Sequence, residues 1–321
     1  MKSKLLYAAL GALALTTPVT AQTNPTVYGS VVFGHEWEDM EAPPYGLYSM
    51  PADNGNAIKL EVRNDAIKAN GGGVYVDGMY HLVDFTRYEF EQVVTFRTFD
   101  TKNNWKLINE QTIKSYSSAA SDLTYDPVGD KIYGCFKETA TSTQYFLGTL
   151  NPITGFASKI ADIDEELIVL ASTRDGKLYG VGAYGMLYSV DKQTGKLTKI
   201  GQTGKSVKYS QSATFDYASG RMLWAMTPHY TNESPELCEI DLSTGKTTTL
   251  ATIPERYEFT GIYTLSPYAA DNAPQTATAF GGKYEKGALS GTVSFTAPTA
   301  TMGGSTLSGS LSYTLCVDDK A

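Results

Sequence analysis

Between residues 27 and 265, apolar and polar positions alternate in short runs separated by clusters of Gly, Asn, Asp, Ser and Thr. A period of two predicts half-buried strands, and the interrupting clusters predict turns. One unit can be read in full. Leu123-Thr124-Tyr125 is a strand, 126–130 a polar turn, and Lys131-Ile132-Tyr133-Gly134 a second strand ending in an aromatic and a small residue. The same order returns in Ala213-Thr214-Phe215, 216–220 and Arg221-Met222-Leu223-Trp224-Ala225, and in shortened form over 171–180. Sustained helical periodicity is absent from this region; 162–169 comes nearest and is short.

A second pair of strands follows each first pair. Leu150-Asn151-Pro152-Ile153-Thr154-Gly155 matches Val190-Asp191-Lys192-Gln193-Thr194-Gly195 and Ile240-Asp241-Leu242-Ser243-Thr244-Gly245, and each Thr-Gly leads into another alternating run. Asp or Asn opens such a turn by bonding its own backbone, and Gly takes the positive φ that the tight turn requires. Asn151, Asp191 and Asp241 are 40 and 50 residues apart, and a weaker copy at Asp100 lies 51 residues upstream of Asn151. A first copy is visible at 46–62 around Asn54-Gly55. Four strands recurring every 40–50 residues is the period of a β-propeller blade.

These aromatic-small and Asp-x-x-Thr-Gly elements resemble the secreted bacterial propellers with quinoprotein-like or YVTN-like repeats. The resemblance implies an all-β protein with a propeller over 22–268. Five blades are expected, or six if a long connection hides a unit. The first blade lacks a first strand before Val27, while 259–265 is a first strand with no blade behind it. Pairing the two closes the ring and removes its edges.

Residues 269–276 break the pattern and are expected to be a linker. Beyond them 277–279, 288–296 and 307–317 read as three strands, and 289–298 with 311–318 resembles the opening of a fibronectin type III module. Such a sandwich takes about seven strands and about 100 residues, whereas 271–321 offers only 51. The expected C-terminal unit is therefore a partial β-sandwich over 277–321. It is either the start of a longer chain or a short tail packed on the propeller.

The first residues change the picture of where the protein works. Lys2 and Lys4 precede an apolar run over 5–15, and Val19-Thr20-Ala21 supplies small residues for cleavage, the pattern of a secretory signal peptide over 1–21. The run is too short for a bilayer, which takes about 20 residues. No Cys follows it, so a lipid-anchored N-terminus is not expected. Secretion, or a periplasmic or cell-surface location in a bacterium of Gram-negative type, is the expectation. A net charge of −8 argues against nucleic acid as a partner. With three Cys, Cys135, Cys238 and Cys316, and three His in the chain, a Cys/His zinc cluster is excluded. The thiols are expected to be buried and free. A monomer without cofactor or metal is expected.

Candidate chemistry falls on the propeller face where loops between second and third strands gather with the loops between blades. This face is predicted to carry Trp37, Tyr45, Tyr88, Tyr116, Tyr209, Tyr230 and Tyr257, with Arg87, Arg256, His35 and His229. Rings beside hydrogen-bonding groups suit a glycan or a peptide surface. Trp37, Arg87, Tyr88, Tyr230 and Arg256 are the expected anchors, because they converge from different blades. Residues 35–41 hold one His and four carboxylates, yet neighbours in an extended loop point to opposite sides, so a solvated acidic loop is expected rather than a metal site. Asp126, Asp175 and Asp216 occupy equivalent turns and read as turn formers; residues 172–176 match the Asp-box of sialidase propellers only in part. Gly71-Gly72-Gly73 precedes a strand rather than a helix and reads as a flexible joint. Gly-x-Ser-x-Gly, His-Glu-x-x-His and phosphate-loop signatures are absent. The resemblance implies a non-catalytic binding or adhesion protein. The alternative is a propeller glycoside hydrolase or lyase using carboxylates in the channel, and a purely structural spacer is a third reading.

Overall fold

The structure is a computed structural model, and it describes residues 24–35, 41–87, 92–139, 142–207, 211–229, 233–265, 278–284 and 291–300. The first chain segment supplies β1 (Thr26–Val31), β2 (Gly46–Pro51) and β3 (Lys59–Arg63). Blade 2 is β4 (Gly73–Val76), β5 (Met79–Arg87), β6 (Gln92–Asp100) and β7 (Lys106–Ile113). Blade 3 is β8 (Ala120–Asp126), β9 (Lys131–Lys137), β10 (Tyr145–Leu150) and β11 (Ala157–Ile163). Blade 4 follows as β12 (Leu167–Ser172), β13 (Leu178–Gly182), β14 (Met186–Val190) and β15 (Leu197–Gln202). Blade 5 is β16 (Ser212–Asp216), β17 (Arg221–Met226), β18 (Glu236–Ile240) and β19 (Thr247–Thr252). Each is a four-stranded antiparallel sheet in sequence order, and the architecture is a five-bladed β-propeller.

Blade 1 is completed from the far end of the chain. β20 (Phe259–Thr264) pairs antiparallel with β1, from Val27 opposite Thr264 to Val31 opposite Phe259, and Val32 N donates to Glu258 O at 2.9 Å. The surplus strand and the missing strand meet as expected.

Burial falls from axis to rim. All six residues of the inner strand β12 are buried, whereas the outer strands β3 and β7 alternate between exposed and half-buried, apart from the buried Ile113 that ends β7. An inner strand is covered by blades on both faces, while an outer strand keeps one face in water, so Lys, Glu, Gln and Thr collect there and blunt the edge. In all five blades the pairing of third to fourth strand carries a bulge, which adds twist toward the rim.

The repeated turns work as the spacing predicts. Asn151 Oδ1 accepts from Ile153 N and Thr154 N, Asp191 Oδ1 from Gln193 N and Thr194 N, and Asp241 Oδ1 from Ser243 N. The closing glycines Gly155, Gly195 and Gly245 have φ of 70°, 70° and 79°. The Ser243 hydroxyl, with the Ser243 amide and the Thr244 hydroxyl, holds the exposed Asp241 carboxyl down at about 2.

The apolar side chains do not form one core. Among the described residues they form five clusters, one in each seam between neighbouring blades. Cys135 and Cys238 are buried free thiols in two of these seams. Burial pushes both up to about 12, so they act as small hydrophobes.

The glycine run 71–73 is not a flexible joint. All three residues are buried, and Gly73 opens β4. A Cβ on Gly72 would lie 2.6 Å from the Asp122 carbonyl carbon, and Gly72 N donates to Ala120 O at 3.0 Å. The run is there because β4 approaches its neighbours too closely for a side chain.

C-terminal to the ring, β21 (Thr278–Tyr284) and β22 (Gly291–Thr296) form an antiparallel hairpin. These overlap the first two strands expected for the partial sandwich. The third, at 307–317, lies outside the described residues, as do the expected signal peptide and the whole of the linker.

The closure generates a prediction. Gly261 on β20 has φ +57°, and a Cβ there would lie 2.5 Å from Tyr80 Oη and 2.9 Å from Gly73 Cα. Gly261→Ala should lower the unfolding free energy by about 2–4 kcal/mol, the sum of a left-handed backbone penalty and overpacking. Deletion of β20 should abolish the cooperative transition altogether. Urea denaturation curves matching wild type for either variant would contradict this account of closure.

Candidate functional site

The five inner strands, β20, β4, β8, β12 and β16, run in the same direction around the axis, so the ring has two distinct ends. The inter-blade loops and the loops from second to third strands lie at the end where the inner strands begin. That is the loop face of the sequence analysis, and its described segments fall where they were expected.

Of the five anchors, the structure describes Arg256 fully. It is exposed, and its Nη1 donates to the Glu41 carbonyl at 3.2 Å, tying the loop that leads into β20 to the β1–β2 loop. Arg87 is the last residue of β5, and its side chain lies outside the description. Trp37, Tyr88 and Tyr230 lie outside the described residues. Several other candidates on this face serve packing. Tyr257 stacks on Phe259 at 6.1 Å and meets Tyr48 edge-on at 5.5 Å. Tyr45 lies under the Lys68 ammonium at 5.3 Å. His35 is buried instead of standing in a solvated loop, because its backbone bridges to the 43–45 segment; residues 36–40 of that loop lie outside the described residues. Nearby, burial raises Glu166, which accepts from Tyr145 Oη at 2.7 Å on the third strand of blade 3. Among the described residues no three His, Cys, Asp or Glu side chains gather as metal ligands would.

Midway along the axis the channel is filled. Asp122 Oδ2 on β8 accepts from Leu170 N of β12 at 3.0 Å and Ala213 N of β16 at 3.1 Å. Its Oδ1 lies 2.9 Å from Ser212 Oγ, the contact through which a protonated carboxyl donates, and Ser212 Oγ also accepts from Ile262 N of β20 at 3.1 Å. Four blades are thus joined through two side chains, and both residues are fully buried. Burial pushes the Asp122 carboxyl up to about 8 against the opposing pull of its donors, so it holds its proton at neutral pH.

Beyond this knot, at the end opposite the loop face, the axis opens into a cavity of about 290 Å³. Residues 74–77, 123–125, 213–215 and 262–265 line it, together with Lys102 and Tyr217. Four blades contribute, and blade 4 does not. Tyr217, just past β16, explains the omission, since its hydroxyl donates to Tyr125 O of blade 3 at 3.3 Å and spans the gap in front of β12. On the far side of Phe215 and Tyr217 a shallower groove runs outward between the first turns of blades 4 and 5, past Arg174 and Asp175. The repeat pattern alone does not reveal this end; its signal in the sequence is the Thr-aromatic-Asp triplets at 124–126 and 214–216, which by themselves read as strand ends and turns.

No family model matches the chain, and no curated protein matches it. Among solved structures, an exo-β-1,3-galactanase from Clostridium thermocellum aligns over 56% of this chain and 48% of its own, at 11% identity and a TM-score of 0.37. The catalytic domain of an α-L-arabinofuranosidase from Coprinopsis cinerea aligns over 81% and 84%, at 10% identity and a TM-score of 0.40. An auxiliary nutrient binding protein from Bacteroides ovatus aligns over 82% and 57%, at 13% identity and a TM-score of 0.38. The chain spans about half the length of the galactanase. Likenesses this distant assign no activity to the present chain.

Asp122 yields a pH-dependent prediction. An unfolded Asp titrates near 3.9 and the folded carboxyl near 8. The stability held by the protonated form is therefore complete below about pH 4 and is lost as pH rises toward 8. Asp122→Asn keeps a neutral group whose oxygen accepts from the two backbone amides and whose N–H donates to Ser212. Its thermal midpoint should fall less between pH 4 and 8 than that of wild type, by the equivalent of about one proton. Asp122→Ala strands buried donors and should cost about 3 kcal/mol or more. Parallel pH profiles for wild type and Asp122→Asn would contradict the protonated carboxyl.

Proposed function

We propose that the chain is an exported, non-catalytic binding protein that takes a glycan or a protein at its loop face through Trp37, Arg87, Tyr88, Tyr230 and Arg256. The observation that supports binding over hydrolysis is how the acids of the inner strands are employed. The five inner strands carry three, Asp122, Asp126 and Asp216, each at most 1% exposed. Asp122 holds the axis together. Asp126 accepts from Val128 N at 3.1 Å and pairs with Lys192 Nζ at 2.5 Å. Asp216 accepts from Ser219 N and Thr264 Oγ1, both at 3.0 Å. A glycosidase needs two carboxyl groups facing a substrate, whereas these three face the amides, hydroxyls and lysine of their own ring.

On the loop face, one N–H of the exposed Arg256 fork is used on Glu41, and the other donors have no partner among the described residues. Such a guanidinium suits a surface that meets hydroxyl, carbonyl or carboxylate groups. Export is supported by the basic, apolar and small-residue order of the first 22 residues. Among the described residues no helix is long and apolar enough to cross a membrane.

The test is a glycan-array and protein-partner screen with the full chain, followed by turnover assays on whatever binds. Binding without hydrolysis is expected. A folded Trp37→Ala/Tyr230→Ala variant should lose at least 5- to 150-fold in affinity, the effect of about 1–3 kcal/mol for one stacked ring. Release of product from a bound glycan would replace this reading with the hydrolase one, and unchanged affinity in the double variant would remove the loop-face site.

A further inference from the structure

The geometry points to a second binding site, the axial cavity at the end opposite the loop face, shaped for a single neutral sugar ring. This inference is independent of the loop-face reading, because the two ends do not communicate along the axis. Asp122, Ser212 and Thr260 between them are all 0% exposed.

Three features of the cavity wall carry it. The first is aromatic surface already fixed in place. Tyr75 and Tyr263 both line the cavity; Tyr75 stacks on Tyr263 at 4.7 Å and 7°, and Tyr263 in turn stacks on Tyr28 at 5.3 Å, so Tyr263 braces Tyr75 and offers no open ring face of its own. Across from them Tyr217 is held by Tyr125 O, and the Tyr125 hydroxyl is held by Asp130 at 2.8 Å. Rings whose orientation is set in advance bind flat ligands without the entropic cost of ordering them.

The second feature is polar capacity left unused. The hydroxyls of Thr214, Tyr75 and Tyr263 have no hydrogen-bond partner among the described residues, although Tyr263 is a buried residue whose phenol is raised by desolvation. A half-buried or buried hydroxyl without a protein partner is satisfied by water or by a ligand. Hydroxyls both donate and accept, which matches the alternating needs of a polyol.

The third is charge balance. One carboxylate, Asp77, and one ammonium, Lys102, stand at the mouth, and neither side chain has an ion-pair or hydrogen-bond partner among the described residues. These two opposite charges balance, so the cavity lining carries no net charge of its own. At about 290 Å³ the cavity sits at the lower end of the roughly 300–1,000 Å³ typical of small-molecule sites. That volume suits one ring.

The experiment titrates the full chain with D-glucose, D-galactose, D-mannose and L-arabinose, and in parallel with glucose 6-phosphate and glucuronate. Saturation-transfer NMR detects binding, and calorimetry gives affinity. Saturable binding of at least one neutral sugar is expected, with at least about tenfold weaker binding for each charged derivative. Thr214→Val, which keeps shape and removes the hydroxyl, and Tyr75→Ala should each weaken the neutral sugar by about tenfold. Thermal melts establish that each variant is folded, and Thr214→Val alone decides the matter if Tyr75→Ala does not fold. The Trp37→Ala/Tyr230→Ala variant should bind the sugar as wild type does, which separates this site from the loop face. Absence of saturable binding to all four sugars overturns the inference, and so does affinity unchanged by Thr214→Val or lost in the loop-face variant. Equal or tighter binding of a charged derivative overturns the neutral class.

Discussion

The backbone groups on the axis-facing edges of the five inner strands impose the constraint on which the rest depends. Each inner strand is the edge of its own sheet, and that edge is buried away from water, where an unpaired N–H is costly. Neighbouring inner strands splay too far to pair continuously, so side-chain oxygens substitute. Asp122 takes Leu170 N and Ala213 N, Thr124 Oγ1 takes Ser172 N, and Ser212 Oγ takes Ile262 N. Where β4 comes too near β20, glycines at 73 and 261 let backbone meet backbone, and Gly72 does the same against β8. Because the apolar residues are divided among five seams, each blade buries its faces only when both neighbours are present. Closure by β20 is therefore a condition for every seam, not an addition to a finished core.

The same solution divides the molecule functionally. Filling the axis with a protonated carboxyl and its donors leaves two ends that differ in construction. The loop face is built from connections of variable length, the longest between β1 and β2. The opposite end is built from strand termini and tight turns, where Asp126 and Asp216 fix the backbone and Tyr217 bridges two blades. Long loops offer reach toward a large ligand. Strand ends offer a small cavity with walls already in position.

Much of the fold was legible because its determinants are local. The Asp-x-x-Thr-Gly turns depend on a side chain bonding two or three residues onward and on a glycine at positive φ, and both are visible in a short window. The closure followed from counting strands at the two ends. The glycine run 71–73 was misread because looseness and close approach require the same residue, and only the position of Asp122 and Gly261 distinguishes them. The buried state of His35 escaped for a similar reason, since it depends on a bridge to the 43–45 segment across a loop.

By itself the sequence determined the all-β class, the repeating four-strand unit, the turn chemistry and the side of the ring on which each loop emerges, because these follow from period-two burial and contacts within a few residues. Tertiary structure alone decided what stands on the axis. Asp122, Ser212 and Ile262 are 90 and 50 residues apart along the chain, and the residues of the cavity extend from 74 to 265. Nothing local marks Asp122 as a neutral tie or Thr214 and Tyr263 as hydroxyls without a partner among the described residues. Those properties arise only when the ring closes and removes water from between strands that the sequence keeps far apart.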